Sequence, residues 1–293
     1  MPRDLSAEEL TAAVLASFAG SPSPRFREIA ESLVRHLHGF VHEVSLTEEE
    51  WLAGIEALTR AGQITTESRQ ELILLSDVLG VSMAVIGVNH PARDGATEST
   101  VFGPFFVEGA PELENGGDVG AGAPGTPCLM CGTVRATSGA PIAAAAIDVW
   151  QADEAGLYDV QYPGLAAPRG RGRLRSAVDG RFWFWSVLPV AYPIPTDGPA
   201  GDLLRAGGRE PMRPAHVHFR VEADGFETLI THVFVAGDPH LDSDAVFGVR
   251  SSLVAEFQAH APGRAPDGRD MDEPYWSMAH DLVLAPRAAG AHG

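Results

Sequence analysis

The chain has 293 residues with 39 acidic and 21 basic side chains, a formal charge of −18, and 45% apolar residues. That balance speaks against nucleic acid and anionic membrane surfaces, whose phosphates call for a basic face. The apolar share suffices for one large domain or two modest ones, and two cysteines, Cys128 and Cys131, exclude a disulfide framework.

The start, Met1-Pro2-Arg3-Asp4-Leu5, carries no apolar signal core and predicts a cytoplasmic protein. Ser6 with Glu9 and Thr47 with Glu50 have capping-box spacing, so each pair predicts a helix start. Between them Phe26, Ile29, Ala30, Leu33, Val34, Leu37, Phe40 and Val41 recur at the three-four spacing of one buried helix face. A further helix is predicted from about Thr66 to about Val88. From Leu72 it is apolar nearly all round, so it needs cover on more than one side, from another domain or another subunit. The run is short for a membrane span and carries Asp77, which favours a buried helix over membrane insertion.

Asn89-His90-Pro91-Ala92-Arg93-Asp94-Gly95 reads as a connector. Beyond it the pattern changes to short stretches rich in β-branched and aromatic residues: Ala145–Gln151, Arg181–Leu188, Ala215–Glu222, Thr228–Ala236 and Ser277–Leu284. No long helical pattern alternates with them, which favours an antiparallel sandwich over a parallel α/β sheet. The expected fold class is α+β, with a helical domain over residues 1–97 and a β-sandwich over residues 98–293. Pro193 to Arg213 reads as a long Gly- and Pro-rich loop of the kind that often carries function. The tail Ala288–Gly293 reads as frayed.

The sharpest local feature is Arg213-Pro214-Ala215-His216-Val217-His218-Phe219. Residues two apart on a strand share a face, so His216 and His218 project together and can reach one metal ion, or are ordinary strand histidines. Cys128-Leu129-Met130-Cys131 has no second pair, and alternation puts its thiols on opposite faces, which favours a structural role. Two histidines with a carboxylate would suit ferrous iron. Tyrosine is scarce, with Tyr158, Tyr162, Tyr192 and Tyr275 the four present. Tyr158 and Tyr192 each fall where a strand gives way to a loop, and a phenolate suits a hard trivalent iron better than zinc.

The combination resembles the intradiol ring-cleaving dioxygenases. The stretches that carry the resemblance are Thr100–Phe106, Asp148–Asp153 with Gly156-Leu157-Tyr158, Arg213–Phe219 and Gly237–Val249. Jointly they cover most of the chain up to about residue 255. The resemblance implies Fe(III) held by Tyr158, Tyr192, His216 and His218, with Tyr192 and His218 axial. It implies a helical N-terminal domain that forms a homodimer, with phospholipid held in an apolar channel where two such domains meet. It implies that Tyr192 leaves the metal and takes a substrate proton, and that Arg213 stabilises charge developing on the ring. The pocket it implies comprises Leu74, Asp77, Val101, Phe102, Gly103, Pro104, Phe105, Ile194, Pro195, Arg213 and His232. Histidine rather than glutamine at 232 is similar to the branch that opens hydroxyquinol with O₂; catechol or a substituted catechol is the alternative substrate.

Overall fold

The structure, a computed structural model, describes residues 3–66, 69–93 and 95–287; the tail expected to fray lies outside the described residues. The chain divides into two compact units, Met1–Thr59 and Arg60–Gly293.

The first unit holds α1 (Ala7–Ser17), α2 (Pro24–Glu43) and most of α3 (Glu48–Ile64). Both capping boxes form. The Ser6 hydroxyl accepts the Glu9 amide at 3.3 Å and the Glu9 carboxylate accepts the Ser6 amide at 2.8 Å; Thr47 and Glu50 reciprocate in the same way at 3.2 and 2.9 Å. The apolar stripe of α2 differs from expectation. It lies on one face, but Phe26, Ile29, Leu33, Leu37, Phe40 and Val41 are exposed in the single chain. Trp51, Leu52, Ile55 and Leu58 of α3 are exposed as well.

The second unit begins at the end of α3. The single helix expected from Thr66 to Val88 is two, α4 (Glu71–Val78) and α5 (Val81–Asn89), bent by 77°. The break falls at Gly80, whose φ of 72° is left-handed, a conformation that costs glycine nothing. On α4 the buried residues are Glu71, Leu74, Asp77 and Val78, one face at helical spacing, whereas Leu72, Ile73 and Leu79 are exposed. Among the described residues no single helix is long and apolar enough to cross a membrane.

The rest of the unit is a sandwich of two five-stranded sheets. Its strands are β1 (Pro127–Ala136), β2 (Ala146–Trp150), β3 (Arg171–Arg175), β4 (Arg181–Val187), β5 (Tyr192–Pro193), β6 (Met212–Arg213), β7 (His216–Glu222), β8 (Leu229–Val235), β9 (Val254–Ala255), β10 (Phe257–His260), β11 (Gly263–Arg264), β12 (Asp270–Met271), β13 (Tyr275–Ala279) and β14 (Leu282–Leu284). One sheet has the order β10-β13-β1-β14, with β4 also on β1; the other has the order β3-β2-β7-β8-β9. Most pairs are antiparallel, as expected, but β1 pairs with β13 and β14, and β8 with β9, in parallel. The stretch expected to be one strand from Ser277 to Leu284 is split. The His280 amide donates to the Cys131 carbonyl at 2.9 Å and the Asp281 carboxylate accepts the Thr133 amide at 2.8 Å, so the chain steps from one half of β1 to the other. The Pro193–Arg213 loop also contains a helix, α6 (Pro199–Ala206).

Alternation sorts each strand's side chains. Met130 of β1, Ile147 and Val149 of β2, Phe182 and Phe184 of β4, and Val217, Phe219 and Val221 of β7 fill one core between the sheets. Their neighbours on β2, β7 and β8 turn to the sheet's other face. There the register aligns Trp150, His218 and His232 across three adjacent strands. Cys128 is buried and Cys131 half-buried, and both thiols are free.

Candidate active site

The outer face of the β2–β7–β8 sheet carries the site. His216 and His218 point there because Val217 and Phe219 are committed to the core. Tyr158 is brought over them by a turn that follows β2. The Asp153 carboxylate accepts the Ala155 and Leu157 amides at 3.0 and 3.3 Å, and the Gln161 side chain accepts the Tyr158 amide at 2.9 Å. Gly156 is required in this turn. Its φ is 74°, and a Cβ there would stand 2.6 Å from Cβ of Tyr192. Tyr192 is set by a two-residue ribbon in which it pairs directly with Arg213.

These elements bring four donor atoms into a closed ring. Tyr158 Oη stands 2.9 Å from Tyr192 Oη and 2.8 Å from His218 Nε2. His216 Nε2 stands 3.2 Å from His218 Nε2 and 3.4 Å from Tyr192 Oη. Donors held about 2 Å from one metal ion at right angles lie about 2.8 Å apart, and wider angles extend that to about 3.5 Å. All four edges of the ring fall in this range. Around it, Tyr192 stands across from His218 and Tyr158 across from His216.

The electrostatics point the same way. All four side chains are buried. Burial, and then the neighbouring Tyr192, push the Tyr158 phenol well above its ordinary value, while burial, offset in part by Arg213, raises that of Tyr192. Phenolates there therefore need a strong positive partner. Burial, then Arg213, lowers the His216 pKa to about 3, and burial followed by His216 puts His218 well below the ordinary range, so both imidazoles are neutral and can offer lone pairs. His216 Nδ1 lies 2.6 Å from the Pro214 carbonyl, which only accepts, so Nδ1 carries the proton and Nε2 faces the ring. Two phenols and two neutral imidazoles converging in a buried site fit a hard, highly charged cation.

Arg213 donates from Nη1 to His216 Nε2 at 3.2 Å and is held by Asp244 at 3.1 and 3.4 Å. Beside the ring lies a small cavity lined by Leu74, Asp77, Gly103, Pro104, Phe105, Ile194, Pro195, Tyr192, Arg213, His218 and Val246. Asp77 is buried, and that burial raises its carboxyl, against a hydrogen bond from Ser82 and the charge of Arg213.

Three residues expected in the pocket are not among those that line this cavity. Val101 packs among Leu74, Val78 and Ile194, and Phe102 sits edge-on to Trp150. His232 lies under the histidines, its ring 4.1 Å from that of His218, with Nδ1 bonded to the Thr100 hydroxyl. Nε2 of His232 and Nδ1 of His218 are buried without a protein partner among the described residues. His216, His218 and His232 also form a group able to approach one ion. Val246 and Asp244 were not singled out from the sequence, although both fall inside the Gly237–Val249 stretch. Trp150, which stacks on His218 at 4.7 Å and 16°, falls inside the Asp148–Asp153 stretch and is not singled out as a site residue by the sequence.

The chain is similar to known proteins over most of its length. The family description "Catechol dioxygenase N terminus" matches residues 23–97, and "Dioxygenase" matches residues 101–286. These two meet close to residue 97, whereas the compact units meet between Thr59 and Arg60. The chain is 54% identical to a hydroxyquinol 1,2-dioxygenase of Rhodococcus opacus, over 95% of this chain and 94% of that protein. It is 55% identical to a 6-chlorohydroxyquinol 1,2-dioxygenase of Cupriavidus pinatubonensis, over 87% of this chain and 92% of that protein. Among solved structures, hydroxyquinol 1,2-dioxygenase from Pseudomonas putida DLL-E4 has a TM-score of 0.88 at 46% identity, covering 96% of this chain and 99% of that one. Catechol 1,2-dioxygenase from Pseudomonas arvilla C-1 has a TM-score of 0.85 at 26% identity, covering 99% of this chain and 95% of that one. On these matches, and on the site that accompanies them, the chain belongs to the intradiol ring-cleavage dioxygenases.

Proposed function

We propose that the protein inserts both atoms of O₂ into hydroxyquinol, 1,2,4-trihydroxybenzene, giving 3-hydroxy-cis,cis-muconate, the enol form of maleylacetate. The observation that carries this reading is the ring of Tyr158, Tyr192, His216 and His218 beside a cavity holding one carboxyl, Asp77, and one guanidinium, Arg213. Those four residues would hold iron as Fe(III). When bound, it supplies a Lewis acid that makes the two adjacent ring hydroxyls acidic and, by withdrawing charge, opens the ring to O₂.

The remaining roles belong to the chain. Tyr192 would take the proton of one substrate hydroxyl, since burial raises its phenol and favours the protonated form. Arg213 offers fixed positive charge in the cavity wall, where it would steady charge developing on the substrate ring, and Asp244 keeps it from swinging away. Leu74, Gly103, Pro104, Phe105, Ile194 and Pro195 form an apolar slot that excludes water from the ring. Asp77 meets the third hydroxyl of hydroxyquinol, a bond that catechol cannot make. A buried polar group left unpaired discriminates strongly against the analogue that lacks its partner.

The exposed stripe of α2 supports a homodimer formed through the helical unit, with phospholipid seated against the same apolar surface. Two free cysteines support a cytoplasmic location.

The test is a visible spectrum of the purified protein before and after hydroxyquinol is added without oxygen. Tyrosinate on Fe(III) gives a charge-transfer band, which moves to longer wavelength when the substrate binds. A colourless protein with ferrous iron would instead favour extradiol chemistry on His216, His218 and a carboxylate. Turnover then decides the substrate: Asp77→Asn should cost hydroxyquinol about 10- to 100-fold in kcat/KM and leave catechol little changed. Faster turnover of catechol by the unaltered protein would defeat the hydroxyquinol assignment.

A further inference from the structure

One buried ion pair beside the ring has no part in the chemistry above. Asp159 directly follows Tyr158, and Arg171 opens β3. The guanidinium donates from Nε to one Asp159 oxygen at 2.6 Å and from Nη2 to the other. It also donates from Nη1 and Nη2 to the Phe105 carbonyl, each at 3.2 Å. The two side chains are only 4% and 6% exposed. Stability alone is a weak reason to bury such a pair, because desolvation offsets most of the attraction.

Its connections suggest a more specific reason. The segment held through Asp159 carries Tyr158. The segment held through the Phe105 carbonyl carries Gly103, Pro104 and Phe105, which line the cavity. Between the two, the Phe105 ring stacks on the Tyr158 ring, with centroids 4.4 Å apart and planes at 20°. On the sheet, Arg171 stands opposite Trp150, the residue stacked on His218. A planar fork can satisfy two carboxylate oxygens and a carbonyl together; a lysine in its place would meet them as a single point charge.

We propose that Arg171 is a positioning residue that locks Tyr158 to the Gly103–Phe105 wall, so that metal ligand and substrate slot move as one unit. The proposal rests on the reading of Tyr158 as a phenolate ligand of iron.

The experiment compares iron-loaded wild type, Arg171→Lys, Asp159→Asn and Ser176→Ala by iron content, visible band, thermal midpoint, and KM and kcat for hydroxyquinol. Ser176 is the control. It is buried just past the other end of β3, bonded to the Ile142 carbonyl and the Ala145 amide at 2.7 and 2.9 Å, and touches neither the ring nor its wall. The expected result is a displaced charge-transfer band and a KM raised about tenfold in both Arg171→Lys and Asp159→Asn, at near-normal iron content. Ser176→Ala should lower the thermal midpoint and leave band and KM unmoved. If Arg171→Lys does not fold, Asp159→Asn carries the same comparison. A coloured, active wild type with unshifted band and KM in these variants would overturn this inference alone, as would equal shifts in Ser176→Ala. A wild type without iron or colour would overturn the dioxygenase assignment beneath it.

Discussion

The two compact units solve opposite problems with their apolar residues. In Arg60–Gly293, large side chains such as Phe184, Phe219 and Met130 are buried between sheets, and the strands spend their other face on a buried polar site. In Met1–Thr59, no residue of α1 or α2 is buried, and a full helical stripe stands in solvent. The first pattern is complete within one chain. The second leaves an apolar face that no described residue covers, which supports the homodimer proposed above. Chemistry and self-association should therefore respond to different substitutions.

The largest effect expected is confined to the sandwich. Outer-shell partners of metal ligands typically cost about 10- to 100-fold in metal affinity or activity when removed, so loss of a ligand itself should exceed that. Tyr158→Phe or His218→Ala should lower kcat/KM by more than about 100-fold and weaken the visible band, while sedimentation shows the same assembly as wild type. A ligand variant that changed the oligomer and kept its activity would break the separation of roles.

Next come paired truncations. Phe184→Ala removes a fully buried ring and should cost about 3–5 kcal/mol in urea unfolding. Leu37→Ala on the exposed stripe opens no cavity in the single chain and should change unfolding little at low protein concentration. Charge on that stripe should act on assembly: Leu33→Glu with Leu37→Glu is expected to give a monomer by sedimentation, with kcat per iron within about twofold of wild type. A dimer that persists would move the interface elsewhere.

The same contrast explains what the sequence could convey. Strand alternation at His216-Val217-His218 is set by neighbours along the chain, and it gave the shared face directly. The exposed fate of Phe26 and Leu33 depends on what packs against the helix, which periodicity does not contain. The break at Gly80 is hidden in the sequence by the largely apolar residues on either side of it. Val101 and Phe102 were placed in the pocket with their neighbours, yet only backbone geometry decides which of five consecutive residues face a cavity. His232 needed the β7–β8 register, which aligns it with His218 and puts it beneath the imidazoles. Asp159 and Arg171 are 12 residues apart and were invisible until the turn after β2 closed.

The smallest effect concerns acid. Both units hold carboxylates below their ordinary pKa, for different reasons. Glu9 and Glu50 are lowered by accepting backbone amides at helix starts, fully exposed to solvent. Asp244 is pushed up by burial, but the Arg213 guanidinium, with smaller help that includes the Val246 amide, more than offsets this and holds it below the usual carboxylate range. A carboxylate lowered by folding contributes stability that is present above its unfolded pKa of about 3.9 and is lost as pH falls through the folded value. Asp244→Asn removes that contribution, so its deficit in urea unfolding should be largest near neutrality and should shrink as pH drops below about 4. Glu9→Gln should show a much smaller pH-dependent deficit, since exposed charge interactions are screened by water and salt. Equal acid profiles for the two variants would mean that Arg213 is not held by the Asp244 charge, and that the anchoring of the guanidinium in the active site comes from packing alone.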